Sequence, residues 1–346
     1  MQIIHILEVC MSKFSDWMRK KLCKEHKKYT HKNYGRIYPP LYNMYYPFTD
    51  RQPDVYNEFG EKLETYFIRD IHYAHDPYRC SRYFQFDRYN FAVDTHFYTH
   101  ETLLETYKGI STCKRRYGMF VESETIVPFT YNIFDENPGL EKDFDLIFTF
   151  SARLLDKLPN ARFVPFCAAP FNSFKWQNGI FGVWDKIDDN YKYKTKNISI
   201  MSSDKLYCDL HKYRYDLACK CKNEKIADTF GTFDGGPFTS LGDTLIDYRY
   251  TFSIENDITP YFFTEKITSA FMTQTIPIYL GATEIDKFFN PNGIIKISVN
   301  DDIDDVIKQC TKEEYEKRLP AILDNYNRVQ KYMNPFDIMY LEYLKT

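Results

Sequence analysis

The chain has 346 residues, of which 44% are hydrophobic, and its formal net charge is −3 at pH 7. This length suits two domains of ordinary size better than one core. The apolar content excludes wholesale disorder, and the nearly balanced charge gives no general attraction to nucleic acid. Nine cysteines without a CxxC pair favour free thiols in a reducing compartment.

The first 36 residues are basic, with nine Lys or Arg against three Asp or Glu. A solvated helix face is the favoured interpretation, and contact with anionic lipid or RNA is the alternative. Binding of single-stranded RNA is disfavoured because no aromatic residues alternate with the charges. Met1 to Met11 is a poor secretory signal because it contains His5 and Glu8 and no charged segment precedes it. No segment reaches the ~18 apolar residues that a membrane span needs. The sequence therefore predicts a cytoplasmic protein that is soluble or peripherally bound to a membrane.

The residue pattern predicts a loop at residues 34–60, then a helix near Glu61 to Arg69 and a strand at residues 84–87. Thr99 is a candidate cap for a helix that runs from His100 to Tyr107. His96 lies four residues before His100, but the cap would leave it outside that helix. A zinc site is therefore not favoured.

A short apolar strand is predicted at Met119 to Val121, and Glu122 is the first charged residue after it. Catalytic groups of α/β folds lie at the carboxyl ends of strands, so Glu122 is a candidate general base. Glu124 is a close rival. The alternative is that such a carboxylate only caps the following helix.

Two further buried strands are predicted at residues 145–150 and 162–166, with a spacing typical of parallel βα units. Asp143 and Asp145 form an Asp-x-Asp pair, a pattern that can hold Mn²⁺. Because the pair precedes its strand instead of following it, we interpret it as the entrance to the strand. The sequence thus predicts no metal site, and no divalent metal is expected to be essential.

The second half begins with a predicted strand at residues 197–201, which ends at Ser202, and a helix over residues 211–220. The glycine-rich stretch at residues 228–236 contains neither GxGxxG nor GxxxxGK[ST]. Dinucleotide-binding and ATP-binding loops of those types are therefore not supported.

A βαβ unit is predicted over residues 249–282, with strands at 249–254 and 276–280. Thr264 is expected to cap a helix from Glu265 to Thr273. Polar residues crowd the end of the first strand, where Glu255 and Asn256 stand. Lys266, in the first turn, would attract phosphate, and Glu265 suits sugar hydroxyls. Together these residues indicate a site for a sugar joined to a diphosphate.

The last segment carries apolar residues at helical spacing, interrupted by Pro320 and Pro335. We expect it to pack on the domains as closing helices. Docking on a membrane is the alternative.

Seven segments carry a resemblance to a known family: DLIFTFS, NISIMSSDK, DTFGTFDGG, FSIEN, FFTEKITSAF, TIPIYLGA and FFNPNGII. This set resembles the family 10 glycosyltransferases, the α-1,3/4-fucosyltransferases that use GDP-fucose, and the soluble microbial or viral type in particular. The similarity covers roughly residues 83–300. Two positions depart from the family pattern, since Phe262 replaces a tyrosine and Leu280 a tryptophan. Tyr261 is a candidate replacement for the lost hydroxyl.

The resemblance implies an α/β fold of the GT-B type, in which two Rossmann-like domains face a central cleft. The predicted ranges are an acceptor-side domain at 1–170, a GDP-sugar-binding domain at 171–310 and a helical segment at 311–346. Glu122-Ser123 matches the family's Glu-Ser motif, whose glutamate is the general base. The residues predicted to bind the donor are Ser202, Arg214, Glu255, Asn256, Phe262, Glu265 and Lys266.

The implied reaction is inverting transfer of L-fucose from GDP-fucose to a hydroxyl of an acceptor glycan or glycoconjugate, with an α-1,3 linkage and without a cofactor. Two alternatives stay open. One is a transferase of the same fold that uses another nucleotide sugar, and the other is a noncatalytic module that binds a glycan or nucleotide. Nucleic acid is not an expected partner.

Overall fold

A computed structural model describes residues 60, 62–69, 81–87, 93–108, 113–165, 188–237, 239 and 241–345. The predicted basic segment 1–36 lies outside the described residues. Within them the chain forms two sheets, each made of parallel strands only. The predicted α/β class is confirmed. None of the helices in these ranges is both long and apolar enough to cross a membrane.

The first sheet has six strands in the order β2-β1-β3-β4-β5-β6. Their bounds are β1 Glu64–Arg69, β2 Phe84–Asp87, β3 Thr95–Thr99, β4 Arg115–Met119, β5 Leu146–Thr149 and β6 Ala161–Phe163. The helix predicted near residues 61–69 is wrong, because this segment is strand β1. Tyr66, Phe67 and Ile68 are all buried, since β1 lies inside the sheet with both faces covered. An unbroken apolar run of this length is compatible with either element.

The second sheet has five strands in the order β11-β10-β9-β7-β8. Their bounds are β7 Lys196–Met201, β8 Asp228–Phe230, β9 Tyr248–Ile254, β10 Ile276–Leu280 and β11 Ile295–Lys296. Neighbouring residues of one strand enter different cores: Ile278 packs in one apolar cluster and Tyr279 in another. Both faces of this sheet are therefore covered, as parallel sheets require.

The described helices are numbered in chain order. The α-helices are α1 Pro128–Tyr131, α2 Ile133–Glu136, α3 Ala152–Lys157, α4 Asp209–Glu224, α5 Glu265–Met272, α6 Ile303–Gln309, α7 Lys312–Lys317, α8 Leu319–Val329 and α9 Pro335–Met339. Short 3-10 helices are His100–Lys108, Leu140–Asp143, Asn190–Tyr193, Gly242–Thr244, Ile285–Lys287, Pro291–Gly293 and Gln330–Tyr332, and a π-helix spans Tyr340–Leu344.

The order of strands in the second sheet determines where a ligand binds. The chain runs from β7 outward to β8 and then returns to add β9 on the other side of β7. The connections that follow β7 and β9 therefore diverge, and they leave a crevice at the carboxyl ends of these two strands. Ser202 follows β7, and Glu255 and Asn256 follow β9. The predicted donor residues thus stand at the position that this topology favours.

The carboxy-terminal segment contacts both sheets. Ile322 and Val329 of α8 are buried in the cores of the second sheet. From α9, the Asp337 carboxylate accepts hydrogen bonds from Ser81 Oγ at 2.8 Å and from Arg82 N and Nε at 2.9 and 2.8 Å. Phe336 packs edge-on against Phe86 of the edge strand β2, with ring centroids 5.5 Å apart. The prediction that the apolar positions pack on the domains is confirmed, and Pro320 and Pro335 lie in the first turns of α8 and α9.

Candidate active site in the cleft between the sheets

A cavity of about 630 Å³ opens at the carboxyl ends of β7 and β9. Its volume falls within the usual range for small-molecule sites. Most of its lining comes from the second sheet, but Glu122 and Ile126 reach it from the first. Its polar and charged lining side chains include Glu122, Ser202, Lys205, His211, Arg214, Asn256, Glu265 and Lys266.

The start of α5 is held by a buried carboxylate. Glu255 is fully buried and accepts hydrogen bonds from Thr264 N at 2.8 Å and Thr264 Oγ1 at 2.7 Å. The same Thr264 hydroxyl oxygen caps the helix by accepting from the Lys266 amide, as the sequence predicted. This network fixes the first turn of α5, and with it the positions of Glu265 and Lys266.

Lys266 is paired with carboxylates on two sides. Its Nζ lies 2.9 Å from Glu265 Oε1 and 3.6 Å from Glu255 Oε2. Burial favours the neutral amine, but the charges of Glu265 and Glu255 outweigh this effect and raise the pKa of Lys266. These carboxylates therefore favour the cationic form of Lys266 at the cleft. Burial raises the pKa of Glu255. At Glu265 burial acts in the same direction, but the charge of Lys266 and the hydrogen bonds from Lys266 and Thr264 together outweigh it and lower the pKa.

Helix α4 presents Arg214 and His211 on one face, three residues apart. Arg214 is buried and donates from Nη1 to the Ile254 carbonyl oxygen at 2.9 Å, so the end of β9 holds its guanidinium in place. His211 Nδ1 accepts from the Tyr207 amide at 3.3 Å, which leaves the proton on Nε2, 2.9 Å from Asn256 Oδ1. Burial, with the charge of Arg214 adding to it, lowers the pKa of His211 to about 4. At neutral pH this histidine orients Asn256 as a neutral donor.

Glu122 stands across the cleft from these groups. One of its own oxygens, Oε1, accepts from the Ser123 amide at 2.8 Å. Burial raises the pKa of Glu122, although the Ser123 amide and the charge of Lys266 act in the opposite direction. A carboxylate with a raised pKa is a stronger base than an exposed one.

Glu124, the rival candidate, is held elsewhere. Its carboxylate pairs with Arg153 Nη2 at 3.0 Å on the outer surface, and Glu124 is absent from the cavity lining. Arg153 Nη1 in turn binds Asp135 at 2.7 Å. The geometry therefore favours Glu122 over Glu124 as the group that meets a substrate.

Close backbone packing brings the β8 loop up to Ser202. Gly231 lines the cavity and has a positive φ of 98°. A Cβ atom at this position would lie 2.1 Å from the Ser202 carbonyl oxygen. Only glycine fits here, and the absence of a side chain keeps the cavity open beside β7.

Two predicted donor residues, Phe262 and Glu255, lie away from the cavity surface. Phe262 is 3% exposed and packs against Phe150 of the first domain with ring centroids 5.0 Å apart. It does not line the cavity, so the structure does not bring Phe262 together with the other predicted donor residues. Tyr261 packs against Phe163 and Phe288 and does not line the cavity either.

Glu255 does not line the cavity either. It follows Ser253 by two residues, so both side chains point to the face of the sheet that α5 covers. Ser253 Oγ donates to the Lys266 carbonyl oxygen at 3.0 Å, and Glu255 binds Thr264. In this structure the carboxylate therefore supports the helix start from within the core.

Sequence reasoning missed several residues that line the cavity, among them Lys205, Tyr207 and His211. His211 was detectable, because it precedes Arg214 by three residues and so shares its helix face. Lys205 and Tyr207 lie in the loop between β7 and α4, where no periodic pattern marks a side chain. Among the described residues, no group of three or more His, Cys, Asp or Glu side chains is arranged to hold a metal ion.

Residues 191–318 match the model of a protein family described as glycosyltransferase family 10 (fucosyltransferase), C-terminal part. The match spans rather more than a third of the chain and includes every cavity-lining residue of the second sheet. The predicted resemblance is confirmed over this range. A comparison with curated protein sequences found no match.

Solved structures were also compared. One similar structure is an alpha1,3-fucosyltransferase, with 16% identity, 86% of this chain and 88% of that chain covered, and a TM-score of 0.44. Another is an alpha1,3-fucosyltransferase with GDP-fucose, with 12% identity, 86% and 97% coverage and a TM-score of 0.43. Anabaena HepE (Alr3699) in complex with UDP shares 8% identity, with 82% and 99% coverage and a TM-score of 0.52. The two facing parallel-sheet units confirm the predicted GT-B architecture.

Proposed function

We propose that this chain, a glycosyltransferase of family 10, moves L-fucose from GDP-fucose to a hydroxyl of an acceptor glycan with inversion, forming an α-1,3 linkage. One observation carries the proposal: a carboxylate from the first sheet lines the same cavity as cations from the second, two of which flank the end of β9. These are Glu122, Arg214 and Lys266. A base facing a cationic anion site is what single-step transfer from a nucleotide sugar requires.

The donor side supports a nucleoside diphosphate leaving group. The guanidinium of Arg214 stays charged at any physiological pH, and its planar fork suits phosphate oxygens. Lys266 adds a second cation in the first turn of α5, where the backbone amides also favour anions. In the proposed reaction these groups stabilise the negative charge that develops on the diphosphate as its bond to the anomeric carbon breaks.

Sugar recognition is assigned to the polar groups beside the cations. Glu265 is about one-third exposed and lines the cavity, so its free carboxylate oxygen can accept from fucose hydroxyls. Asn256, oriented by His211, and Ser202 provide further polar contacts to the donor. In this scheme Arg214 and Lys266 perform the charge neutralisation for which other transferases use a divalent metal.

Glu122 is the proposed base. Its carboxylate removes the proton from the acceptor hydroxyl as that oxygen attacks the anomeric carbon from the face opposite the diphosphate. The β-linked donor then gives an α-linked product in a single displacement, and one catalytic carboxylate suffices. The acceptor binds on the side of the first domain, within the predicted range 1–170, because Glu122 belongs to that side.

The test uses the matched pair Glu122→Gln and Glu124→Gln. Glu122→Gln keeps an oxygen that can accept from the Ser123 amide, but its side chain cannot take a proton. The rate of GDP release from GDP-fucose, measured with a panel of oligosaccharide acceptors, should therefore fall by roughly 10²–10⁴-fold. Affinity for GDP, measured by calorimetry, should stay unchanged. Glu124→Gln should retain turnover, since that carboxylate only pairs with Arg153.

The reverse result, with turnover lost only in Glu124→Gln, would assign the base to Glu124. Release of UDP or CDP from their sugars in place of GDP would refute the donor assignment. Nucleotide binding without turnover by the unaltered protein, with every donor and acceptor tested, would favour the noncatalytic binding module.

A further inference from the structure

The residue that follows β3, His100, lies directly behind the segment that carries Glu122. His100 is fully buried and has a positive φ of 48°. This left-handed backbone conformation is unfavourable for a residue with a side chain. Strained residues of this kind persist where the surrounding structure holds them, often beside functional sites.

The imidazole of His100 binds the backbone at the end of β4. Its Nε2 lies 3.0 Å from the Val121 amide nitrogen and 3.2 Å from that of Glu122. Both are donors, so Nε2 accepts and the ring proton resides on Nδ1. Nδ1 is 3.0 Å from Thr130 Oγ1, whose own hydroxyl donates to the Val127 carbonyl oxygen at 2.9 Å. In this series of hydrogen bonds each donor meets an acceptor. Because Nε2 accepts and therefore carries no proton, the ring is neutral.

These two amides need a partner because the sheet ends before them. The Phe120 amide still donates to Phe148 of β5 at 2.9 Å, but β5 ends at Thr149. His100 then takes over as the acceptor for the next two amides. From the other side, Tyr131 Oη donates to the Glu122 carbonyl oxygen at 2.5 Å. The peptide groups on both sides of the Glu122 Cα are thus fixed by buried side chains.

Packing keeps the ring in place. The imidazole meets Phe120 edge-on at 5.4 Å between centroids and Tyr131 at 6.3 Å. His100 does not line the cavity, so it touches neither donor nor acceptor there. Its influence on the cleft runs through the backbone of Glu122.

We propose that His100 is a positioning residue, whose neutral imidazole holds the Val121-Glu122 backbone so that the Glu122 carboxylate points into the cleft. This inference rests on the proposed role of Glu122 as the base. A misplacement of about 1 Å at a reacting group can cost roughly 10²-fold in rate. Loss of the acceptor at Nε2 should therefore reduce kcat while leaving the donor site on the second sheet intact.

The test is a matched pair of variants. His100→Asn keeps a donor near the position of Nδ1 for Thr130 and tolerates a positive φ, but it removes the acceptor for the two amides. His100→Gln places an amide oxygen near the position of Nε2 and restores that acceptor. We expect kcat to fall by roughly 10–100-fold in the asparagine variant with the Kd for GDP unchanged, and to recover in part in the glutamine variant.

Hydrogen exchange gives a second measurement that needs no turnover. The peptide containing residues 121 and 122 should exchange faster in His100→Asn than in the unaltered protein, while peptides of β9 and α5 keep their rates. Unchanged exchange at residues 121 and 122 would overturn the inference even if kcat fell. Equal loss of kcat, GDP affinity and global stability in both variants would also overturn it and leave His100 a general core residue.

Failure of the proposed function has a different signature. If the unaltered protein releases no GDP from GDP-fucose, the transferase assignment is refuted, and the exchange rates still decide whether His100 holds this segment. If the unaltered protein turns over and His100→Asn matches it in both kcat and exchange, only the inference about His100 falls.

Discussion

Replacing Lys266 with methionine tests the anion site directly, because methionine keeps most of the side-chain length and removes only the charge. In the unaltered protein the Nζ of Lys266 lies between the carboxylates of Glu265 and Glu255 at 2.9 and 3.6 Å. We expect Lys266→Met to weaken GDP binding and to destabilise the fold, since two carboxylates lose their common partner.

The size of the effect follows from this pairing. Truncating one partner of a buried charge pair typically costs about 2–5 kcal/mol. Lys266 already shares its charge with two carboxylates, so its net attraction for a diphosphate lies in the lower part of that range. A loss of about 2–3 kcal/mol corresponds to a Kd for GDP that is roughly 30- to 150-fold higher.

The double variant Lys266→Met with Glu265→Gln separates direct contact from overall charge. With all three groups ionised, Glu255, Glu265 and Lys266 sum to −1. The single variant Lys266→Met sums to −2, and the double variant returns to −1. If Lys266 contacts the diphosphate, GDP binding stays at least about tenfold weaker in the double variant, although much of the stability returns. Glu265→Gln alone, which sums to 0, should bind GDP more tightly.

Isothermal titration with GDP measures affinity, and urea denaturation measures stability. Lys287→Met is the control, because Lys287 is exposed and pairs with Glu284 at 2.9 Å outside the cavity. GDP affinity in the double variant equal to that of the unaltered protein would refute the reasoning: Lys266 would then serve only to balance the carboxylates.

Three further predictions concern pH, backbone packing and the α5 cap. Glu122 must be ionised to accept a proton, and burial raises its pKa above the ordinary 4.5. As the pH is lowered, kcat/KM should therefore begin to fall at a higher pH than it would with an exposed carboxylate. Glu122→Gln should flatten this acidic part of the pH profile of GDP release. Gly231→Ala should reduce both stability and GDP affinity, because the added Cβ would lie 2.1 Å from a carbonyl oxygen. Gly235→Ala is the control: its φ is 80° and no atom lies within 4 Å of the added Cβ, so it should lower the free energy of unfolding by only about 1–2 kcal/mol in urea denaturation. Equal losses in the two variants would contradict the role of crowding at Gly231. Thr264→Val removes both the cap of α5 and a hydrogen bond to the buried Glu255 carboxylate, so the free energy of unfolding should fall by roughly 2–4 kcal/mol. Thr311→Val, at the exposed cap of α7, should lower it by about 1 kcal/mol. Similar values for the two variants would show that the buried hydrogen bond contributes little.

The sequence-predicted residues that line the cavity follow in part from short-range rules. Ser202 and Asn256 are predicted because polar residues follow apolar strands, and the cap at Thr264 because a hydroxyl precedes a helical pattern. These features need only a few consecutive residues. The ends of parallel strands meet at one edge of a sheet, so local patterns predict that Lys266 lies near Asn256. Arg214 follows only from the family resemblance, because no local pattern distinguishes it from other arginines.

The parts of the site that sequence reasoning missed depend on contacts between distant segments. His100 acts on Glu122 across 22 positions in the chain, and a single histidine carries no periodic signal. Phe262 is predicted to contact the donor only from the family resemblance, and in the structure it packs in an apolar cluster beside Phe150. Strand alternation was available for Glu255, but the face covered by α5 became evident only once the helix was placed.

The order in which the polypeptide is synthesised gives the α9 contact a consequence for biogenesis. The edge strand β2 is covered by Phe336 and tied to Asp337 through Ser81 and Arg82, yet α9 leaves the ribosome after both sheets have been made. Until then Phe86 and Ser81 lack these partners, and uncovered sheet edges promote self-association of nascent chains. The amino-terminal unit of this chain therefore gains its contacts with α9 only after translation has passed residue 337.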